Sequence, residues 1–285
     1  MSEMKQKGGG VKARRAVCYI VLILISVFCL IWFYILFINA TRSNGELQTA
    51  GFSAIPSTHL IENFTNLFQG SIPVGRGMLN SFIVSTLASV LSVYFSTMTA
   101  YAIHAYDFKG RKLIFTFILA IMMIPTQVST LGFVKLVESM GLMNNYIPLI
   151  IPAIAAPITF FFMKQYMDSN LPASLIEASR MDGAGEFMTF NRICLPLMGP
   201  AVAVQLIFSF VSQWNNYFVP ALLINEENMK TLPIQIAQLR NADFLKFDMG
   251  QVYAMIAFAI FPVIIVYLIL SKNIVGGVTA GGVKE

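Results

Sequence analysis

The chain has 285 residues, of which 56% are hydrophobic and only 12% are charged. A soluble domain usually carries about 25% charged residues, so this sequence has too little polar surface to cover a globule in water. The composition argues against a soluble enzyme and a disordered chain, and three cysteines cannot form a secreted disulfide scaffold. The net charge is +5, but the basic residues outside the apolar segments do not form a basic face. Their placement therefore indicates membrane topology rather than nucleic-acid binding.

Six segments without Asp, Glu, Lys or Arg are long enough to cross a bilayer, whose core of about 30 Å needs roughly 20 helical residues. They predict an all-α membrane protein with six transmembrane helices near 17–38, 80–103, 113–134, 146–163, 200–223 and 251–271. The first segment follows basic residues as in a signal peptide, but it is too long for one and lacks a convincing cleavage site, so we predict a retained helix. Pro148, Pro152 and Pro157 predict an irregular fourth helix.

The distribution of Lys and Arg between the loops predicts the orientation. With the N-terminus in the cytoplasm, the inner segments hold thirteen Lys and Arg and the outer loops six, while the acidic residues divide seven and seven. Both termini are then cytoplasmic. The predicted organisation begins with a basic cytoplasmic tail at 1–16, a first transmembrane helix at 17–38 and an external loop at 39–79. A core transmembrane domain follows at 80–274, and a cytoplasmic C-terminal tail ends the chain at 275–285. Within the core domain, a cytoplasmic loop lies at 164–196 and an external loop at 225–250.

The cytoplasmic loop at 164–196 has the pattern of two short helices joined by a glycine elbow. Good helix formers fill 173–181, and Gly183 and Gly185 end this helix because glycine adopts the left-handed conformation at low cost. A second helix is predicted over 186–193, ending before a Leu-Pro pair. Positions spaced i, i+3, i+4 and i+7 form one face of the first helix, and they are Leu175, Ala178, Ser179 and Asp182. By shape alone, an amphipathic helix resting on lipid headgroups explains the first helix equally well.

The same loop carries a spaced pattern: Glu177-Ala178-Ser179, three residues, Gly183, nine residues, and Ile193-x-Leu195-Pro196. This resembles the EAA motif of ABC importer permeases, which reads Glu-Ala-Ala, three residues, Gly, nine residues, Ile-x-Leu-Pro. Every spacing agrees, and the departure is Ser179 in place of the second alanine. Other segments resemble the MalG-type carbohydrate permeases, over about residues 78–285; they include Asn80-Ser81, Ala100-Tyr101-Ala102, Met123-Ile124-Pro125-Thr126-Gln127, Trp214-Asn215-Asn216-Tyr217-Phe218 and the tail 277–285.

The resemblance implies the fold of a type I ABC importer permease in a bacterial-type cytoplasmic (inner) membrane, importing a carbohydrate, with an oligosaccharide as the expected class. The loop would be a coupling helix that docks on a cytoplasmic ATPase. The implied coupling residues are Glu177, Ala178, Ser179, Arg180, Met181, Asp182, Gly183 and Ala184. By the same resemblance, the loop at 225–250 would touch an external binding protein, and the C-terminal tail would reach the ATPase.

The implied partners are a second, MalF-like permease, two ATP-binding subunits, an extracytoplasmic sugar-binding protein and membrane lipid. The chain lacks the Gly-Lys-Ser/Thr ending of a phosphate-binding loop, so ATP and Mg²⁺ are expected on the partner subunits. No catalytic residue or cofactor is expected in this chain. A metal site is not expected either, because His104 has no second His or paired Cys nearby in the sequence.

A group of polar and aromatic residues within the apolar segments is a candidate substrate pathway. The group comprises Gln127, Gln213, Trp214, Asn215, Asn216 and Tyr217. Amides at that depth must face protein or a water-filled cavity, and together with aromatic rings they suit a sugar. An aromatic belt with amide bonds between helices explains them as well.

Two other functions, an ion-coupled carrier and a membrane assembly factor, compete with the importer hypothesis. A secondary ion-coupled carrier usually places ionisable residues inside its spans, and the six predicted spans contain no Asp, Glu, Lys or Arg. A membrane assembly factor explains the hydrophobicity but not the spacing within the loop. The sequence therefore favours the importer permease.

Overall fold

The computed structural model describes residues 8–51, 53–241 and 247–281, and within these ranges the chain is helical with no strand. The α-helices are α1 (Gly8–Asn39), α2 (Asn44–Ala50), α3 (Leu60–Gln69), α4 (Val74–Ala105), α5 (Arg111–Ile121), α6 (Thr126–Ser139), α7 (Ile147–Ile150), α8 (Pro157–Asn170), α9 (Ala173–Met181), α10 (Glu186–Thr189), α11 (Leu195–Leu197), α12 (Gly199–Trp214), α13 (Phe218–Leu223), α14 (Leu232–Arg240) and α15 (Met249–Gly281). Two 3₁₀ turns cover Ile151–Ile154 and Glu227–Met229, and a π-helical turn covers Phe190–Cys194. The ends of the two predicted cytoplasmic tails, 1–7 and 282–285, lie outside the described residues.

Several helices in the described part of the chain are long and apolar enough to cross a membrane. Four stretches meet this criterion without a sharp bend, at Arg14–Asn39, Val74–Ala105, Ile147–Asn170 and Met249–Ile274. Two bent pairs make six if each pair is one span, and they are Arg111–Ile121 with Thr126–Ser139 and Glu186–Leu197 with Gly199–Trp214. Each predicted segment overlaps one of these stretches, and the prediction of an α-helical membrane protein is confirmed.

The observed helices extend beyond the predicted ends. α1 begins at Gly8, inside the predicted tail at 1–16, and α15 continues to Gly281, inside the predicted C-terminal tail. The predicted external loop at 39–79 holds α2, α3 and the start of α4 at Val74. The absence of charged residues marks only the apolar part of a helix, whereas backbone hydrogen bonding continues into its polar flanks.

The third predicted helix, 113–134, is wrong as a single helix. α5 ends at Ile121, α6 begins at Thr126, and their axes differ by 94°. Pro125 lies in the break; its ring removes a backbone donor and disfavours the helical conformation at the preceding residue. The fourth helix is irregular as predicted, since α7, a 3₁₀ turn and α8 follow one another through its three prolines.

The fifth predicted helix, 200–223, is interrupted. α12 ends at Trp214, and α13 begins only at Phe218. The chain also bends by 82° at the start of α12, where Gly199 and Pro200 follow the preceding helical segment. Proline suits the first turn of a helix, whose N–H groups have no partner within the helix, so a new helix axis starts here.

The chain divides into two compact units. The first comprises residues 1–71 and 239–258. In this unit the buried amide of Asn63 donates to the carbonyls of Ala40 and Arg42 at 2.9 and 2.8 Å. A side chain far along the chain therefore satisfies the backbone where α1 ends, which gives the loop after α1 a defined structure.

The second unit comprises residues 72–238 and 259–285 and is built around α4. α4 packs against α8 and α12 and has buried residues along its whole length. Many of these buried residues are small or carry a hydroxyl, and they include Ser81, Ser85, Ala88, Ser89, Ser92, Ser96, Thr97 and Ala100. Small side chains at a helix interface allow close approach of the backbones, which is how helices associate in a membrane.

The N-terminal end of α4 holds the loop that follows α13. Asn80 Nδ2 donates to the carbonyls of Asn228 at 2.9 Å and Lys230 at 3.0 Å. The hydroxyl of Ser81 accepts a hydrogen bond from the backbone N–H of Leu232 at 2.8 Å. These three bonds satisfy backbone groups of the 3₁₀ turn, of Lys230 and of the first residue of α14, so the loop is fixed to this end of α4.

A close approach at Gly77 generates the first prediction. A Cβ built on Gly77 would lie 2.0 Å from Oε1 of Gln235, whose side chain is fully buried and donates to the carbonyl of Pro73 at 3.1 Å. We expect Gly77→Ala to destabilise the folded protein by about 1–3 kcal/mol, because overpacking forces buried groups to shift. Gly75→Ala, on the same helix with no atom within 4 Å, is expected to be neutral or stabilising by up to about 1 kcal/mol.

Thermal unfolding of the two purified variants in detergent measures this difference. Equal melting temperatures would contradict the close fit between Gly77 and Gln235.

Candidate functional site

The first arm of the loop at 164–196 is helix α9, which presents two different faces. Ile176 and Ser179 are buried. The residues on the opposite side are exposed, and they are Leu175, Glu177, Ala178, Arg180, Met181 and Asp182. Met181 is 88% exposed. Of the four residues predicted to share a face, Ser179 alone is buried, because around the helix axis it lies between Leu175 and the buried Ile176.

Gly183 ends α9 with a specific hydrogen-bond pattern. The N–H of Ala184 donates to the carbonyl of Ser179 at 3.0 Å, and the N–H of Gly183 donates to that of Arg180 at 3.0 Å. This pair of bonds is the Schellman motif, which requires a left-handed residue at the position of Gly183. Its φ is 79°, so the glycine elbow predicted from the sequence is present.

The hydroxyl of Ser179, the one departure from the sequence motif, has its own partners inside the loop. Ser179 Oγ donates to the carbonyl of Ile176 at 2.8 Å and lies 3.1 Å from Oγ1 of Thr189, which is fully buried. Since the single hydrogen of Ser179 is used on Ile176, Thr189 is the donor in the second bond. A polar group thus replaces alanine here without being left unsatisfied, and it ties the two arms together.

The second arm is longer than predicted. Helix α10 continues into the π-helical turn Phe190–Cys194 and then into α11, past the predicted end before Leu195. A proline ring clashes with the carbonyl four residues earlier in a regular helix. The wider π-turn precedes Pro196, and the N–H of Leu195 donates to the carbonyl of Phe190 across it.

A charged pair joins the two arms and attaches them to the C-terminal end of α4. Arg180 Nε donates to Oε1 of Glu186 at 2.7 Å, and the hydroxyl of Tyr101 donates to Oε2 of the same carboxylate at 2.8 Å. The guanidinium also lies over the ring of Tyr106, 5.2 Å from its centre. Arg180 is one of the coupling residues implied by the resemblance; although exposed, its side chain is directed back onto its own chain.

The environment of Glu186 keeps this carboxylate charged. The hydrogen bond from Arg180 is the largest influence and lowers the pKa of Glu186 to about 2, against burial, which raises it. A carboxylate with a lowered pKa stabilises the folded state above its ordinary pKa, near 4.5, and this stabilisation is lost only as the pH falls towards 2. The pair is therefore intact throughout the neutral range.

The start of the loop is attached to the same end of α4 by His104. Its Nδ1 lies 2.8 Å from Oδ1 of Asp168, and its Nε2 lies 3.0 Å from the carbonyl of Leu171. Asp168 also accepts from the buried ammonium of Lys164 at 2.5 Å. The ring thus bridges α4, the end of α8 and Leu171, the residue that directly follows α8. Among the described residues, no group of three or more His, Cys, Asp or Glu is placed to hold a metal ion.

Sequence reasoning located the exposed surface of the loop but missed the residues that hold it. Tyr101, His104, Asp168, Glu186 and Thr189 were not assigned a structural role. Tyr101 was noted only as part of a resemblance, and His104 only as an isolated histidine. The contacts Tyr101–Glu186, His104–Asp168 and Ser179–Thr189 join positions 85, 64 and 10 apart, so no local spacing could have revealed them.

The candidate pathway residues are not all equally accessible. Trp214 is buried and stacks on Phe210 at 5.6 Å, so its ring belongs to the interior of the second unit. The adjacent Asn215, Asn216 and Tyr217 form the break between α12 and α13. Asn215 and Tyr217 are exposed, Asn216 and Gln213 are half-buried, and Gln127 is exposed near the start of α6.

Together these observations define a multi-pass helical membrane protein with an exposed, glycine-turned loop fixed to one end of its central helix. The sequence model of the binding-protein-dependent transport system inner membrane components matches residues 93–279, and the chain belongs to this family. It is therefore a permease component of such a transport system, and the resemblance identified from the loop is confirmed. The ion-coupled carrier and the assembly factor are excluded by this membership.

Characterised relatives and a solved structure agree with this membership. The arabinooligosaccharides transport system permease protein AraQ of Bacillus subtilis is 34% identical over 268 residues, 92% of this chain and 91% of its own. The sn-glycerol-3-phosphate transport system permease protein UgpE of Yersinia pestis is 28% identical over 265 residues, 91% of this chain and 94% of its own.

The crystal structure of a bacterial ABC transporter that imports the acidic polysaccharide alginate contains a chain of the same fold. It matches with a TM-score of 0.76 and 22% identity, over 94% of this chain and 99% of that one.

The geometry of Gly183 generates the second prediction. Gly183→Val is expected to abolish transport while the chain still inserts into the membrane. The left-handed conformation costs an L-residue about 1–2 kcal/mol of conformational free energy, and it costs a β-branched residue such as valine more. Gly183→Asn should retain part of the activity, since asparagine tolerates this conformation. Gly185→Val is the matched control, because Gly185 has a φ of −69° and no atom within 4 Å.

Solute uptake by cells that carry each variant, normalised to the membrane-inserted protein, is the measurement. Normal uptake by Gly183→Val, or equal losses at both glycines, would contradict the requirement for the elbow.

Proposed function

We propose that this chain is one of two different permease subunits of an ATP-driven importer for a carbohydrate, with an oligosaccharide as the substrate class. A solute-binding protein delivers the substrate, the two permeases form the pathway, and a pair of ATPase subunits supplies the energy. The observation that carries the proposal is the exposed, Schellman-terminated loop in a chain of this family. The chain itself does no covalent chemistry, and ATP with Mg²⁺ binds to the partner subunits.

The topology in this proposal has six transmembrane segments and both termini in the cytoplasm. The bent pair of α5 and α6 counts as one span, and α12 with α13 forms the fifth, while the arm Glu186–Leu197 belongs to the loop at 164–196. All inner segments together hold thirteen Lys and Arg against six outside, and this excess assigns the loop and both tails to the cytoplasm. The loop around Glu226 and Glu227 then faces the outside, where a binding protein would dock.

In the mechanism that we propose, the exposed face of α9 docks on the ATPase. Glu177 and Asp182 present carboxylates that suit Arg or Lys on a partner, and Ala178 with Gly183 permits close approach of its backbone. Arg180 and Ser179 act differently, because their side chains are engaged within the loop. When ATP closes the ATPase dimer, the docked helix moves and the spans change which side of the membrane the pathway faces.

The substrate class is supported by the relatives and by the chemistry of the break between α12 and α13. AraQ is named for arabinooligosaccharides, and the structural neighbour imports alginate. Amides at Asn215 and Asn216 can both donate to and accept from sugar hydroxyls, and the exposed ring of Tyr217 suits the apolar face of a sugar. In this proposal the buried Trp214 supports the break and does not touch substrate.

Purification of the tagged chain from its native membrane in mild detergent tests the assembly. We expect mass spectrometry to identify a second permease and an ATPase in the preparation. Glu177→Arg is expected to reduce recovery of the ATPase by about tenfold or more, since reversing an exposed charge at a docking surface opposes its partner. Glu226→Arg, an identical charge reversal at an exposed residue of the other loop, should leave recovery unchanged. A chain recovered alone would contradict the proposal.

The pathway assignment gives a separate prediction about selectivity. Changing both Asn215 and Asn216 to alanine is expected to raise KM for an imported oligosaccharide by about tenfold, the loss of roughly two hydrogen bonds. The ATPase should still copurify. Asn225→Ala serves as the control, because Asn225 is exposed and its backbone N–H donates to Asn144 Oδ1 at 2.6 Å. The substitution keeps this backbone hydrogen bond and removes only an amide outside the break.

Uptake of labelled arabinooligosaccharides and of sn-glycerol 3-phosphate by whole cells measures both affinity and class. Unchanged uptake kinetics in the double variant would show that Asn215 and Asn216 pack between helices and do not bind substrate. Preferred uptake of sn-glycerol 3-phosphate would overturn the carbohydrate assignment.

A further inference from the structure

Helix α4 has polar attachments at both ends, and each end holds a different loop. At its C-terminal end, Tyr101 bonds Glu186 and His104 contacts both Asp168 and the carbonyl of Leu171. We call these contacts of Tyr101 and His104 the inner clamp. They attach both arms of the coupling loop to one turn of α4.

At its N-terminal end, α4 holds the loop that carries Glu226 and Glu227. Asn80 donates to the carbonyls of Asn228 and Lys230, and Ser81 accepts from the N–H of Leu232. We call these contacts of Asn80 and Ser81 the outer clamp. They bond to backbone groups, so the loop cannot shift along α4 without losing several hydrogen bonds at once.

Between the two clamps α4 has no break. It is a single helix of 32 residues, about 48 Å long at 1.5 Å per residue. The third, fourth and fifth apolar segments are interrupted or bent by prolines and by the break after Trp214, whereas α4 contains no proline between Val74 and Ala105. A continuous helix packed on two neighbours transmits displacement, and a hinged one absorbs it.

From this arrangement we infer that α4 is a rigid strut that carries the movement of the coupling loop to the loop held at the opposite end of this helix. Tyr101, His104, Asn80 and Ser81 are the positioning residues that attach the strut. The inference rests on the proposed function, because it assumes that the loop at 164–196 is driven by an ATPase. It adds the route by which the ATPase state reaches the surface where the binding protein docks.

The strut predicts a response that can be measured without knowing the solute. We would place an environment-sensitive fluorophore at Glu226→Cys, in a background with Cys18 and Cys29, the exposed cysteines, changed to serine. Purified complex is then trapped with ATP, Mg²⁺ and vanadate. We expect the fluorescence to change on trapping, because closure of the ATPase dimer moves the loop through α4.

Inner-clamp variants should break this response without breaking the assembly. Tyr101→Phe removes one hydroxyl and keeps the ring and the Arg180–Glu186 pair, while His104→Ala removes the other attachment. Together they are expected to reduce the trapped fluorescence change by about five-fold or more, the effect of losing hydrogen bonds to charged groups. Recovery of the ATPase subunits should remain as in the parent protein, because the exposed face of α9, its glycine elbow and the Arg180–Glu186 pair are unchanged. Tyr146→Phe, which removes a tyrosine hydroxyl bonded to the carbonyl of Met229 but not to α4, is the matched control.

The outer clamp supplies a second and independent test. Asn80→Ala with Ser81→Ala should also lower the response, and adding these changes to the inner-clamp variant should lower it little further. Tyr101 and Asn80 are 21 positions apart, about 32 Å along the helix, where independent effects would add. Non-additive losses are therefore the expected result for two attachments of one strut.

The possible outcomes separate the inference from the proposed function. A parent protein that brings no ATPase through purification overturns both. A parent complex that hydrolyses ATP without any fluorescence change, an inner-clamp variant with the full response, or additive losses from the two clamps overturns the strut alone. Loss of the ATPase subunits from Tyr101→Phe with His104→Ala also overturns it, since the clamp would then act in docking rather than in transmission.

Discussion

The C-terminal turn of α4 carries the attachments on which the functional site depends. A half-exposed ion pair such as Arg180 with Glu186 contributes little by itself, because water screens it and two long side chains must be ordered. Here the carboxylate is also held by Tyr101, and the guanidinium lies over Tyr106. The loop therefore has one orientation relative to α4, which leaves the opposite face of α9 free for a partner.

The sequence motif in the loop can be understood from local chemistry. Its glycine is the left-handed residue of a Schellman motif, so any side chain there opposes the turn. Its Leu-Pro pair follows a π-turn, which accommodates the proline within a helical arm. The third position lies in the interior between the arms, where alanine fits and where Ser179 fits because Thr189 and the carbonyl of Ile176 satisfy its hydroxyl.

Membership in the family does not select the solute. AraQ and UgpE are named for an oligosaccharide and for a phosphate ester, yet both match over nine-tenths of this chain. In the function that we propose, the shared part is the scaffold that transmits movement, and selectivity comes from a few side chains at the break between α12 and α13 and from the second permease.

The sequence by itself determined the membrane class, the location of each apolar segment, the glycine elbow and the motif spacing in the loop at 164–196. These are local properties, set by composition, helical length and the conformational freedom of glycine. Only the tertiary structure decided that Ser179 is buried, that Arg180 turns back to Glu186 and that α4 holds both loops. Those outcomes depend on side chains up to 151 positions apart in sequence, which come together only when the helices pack.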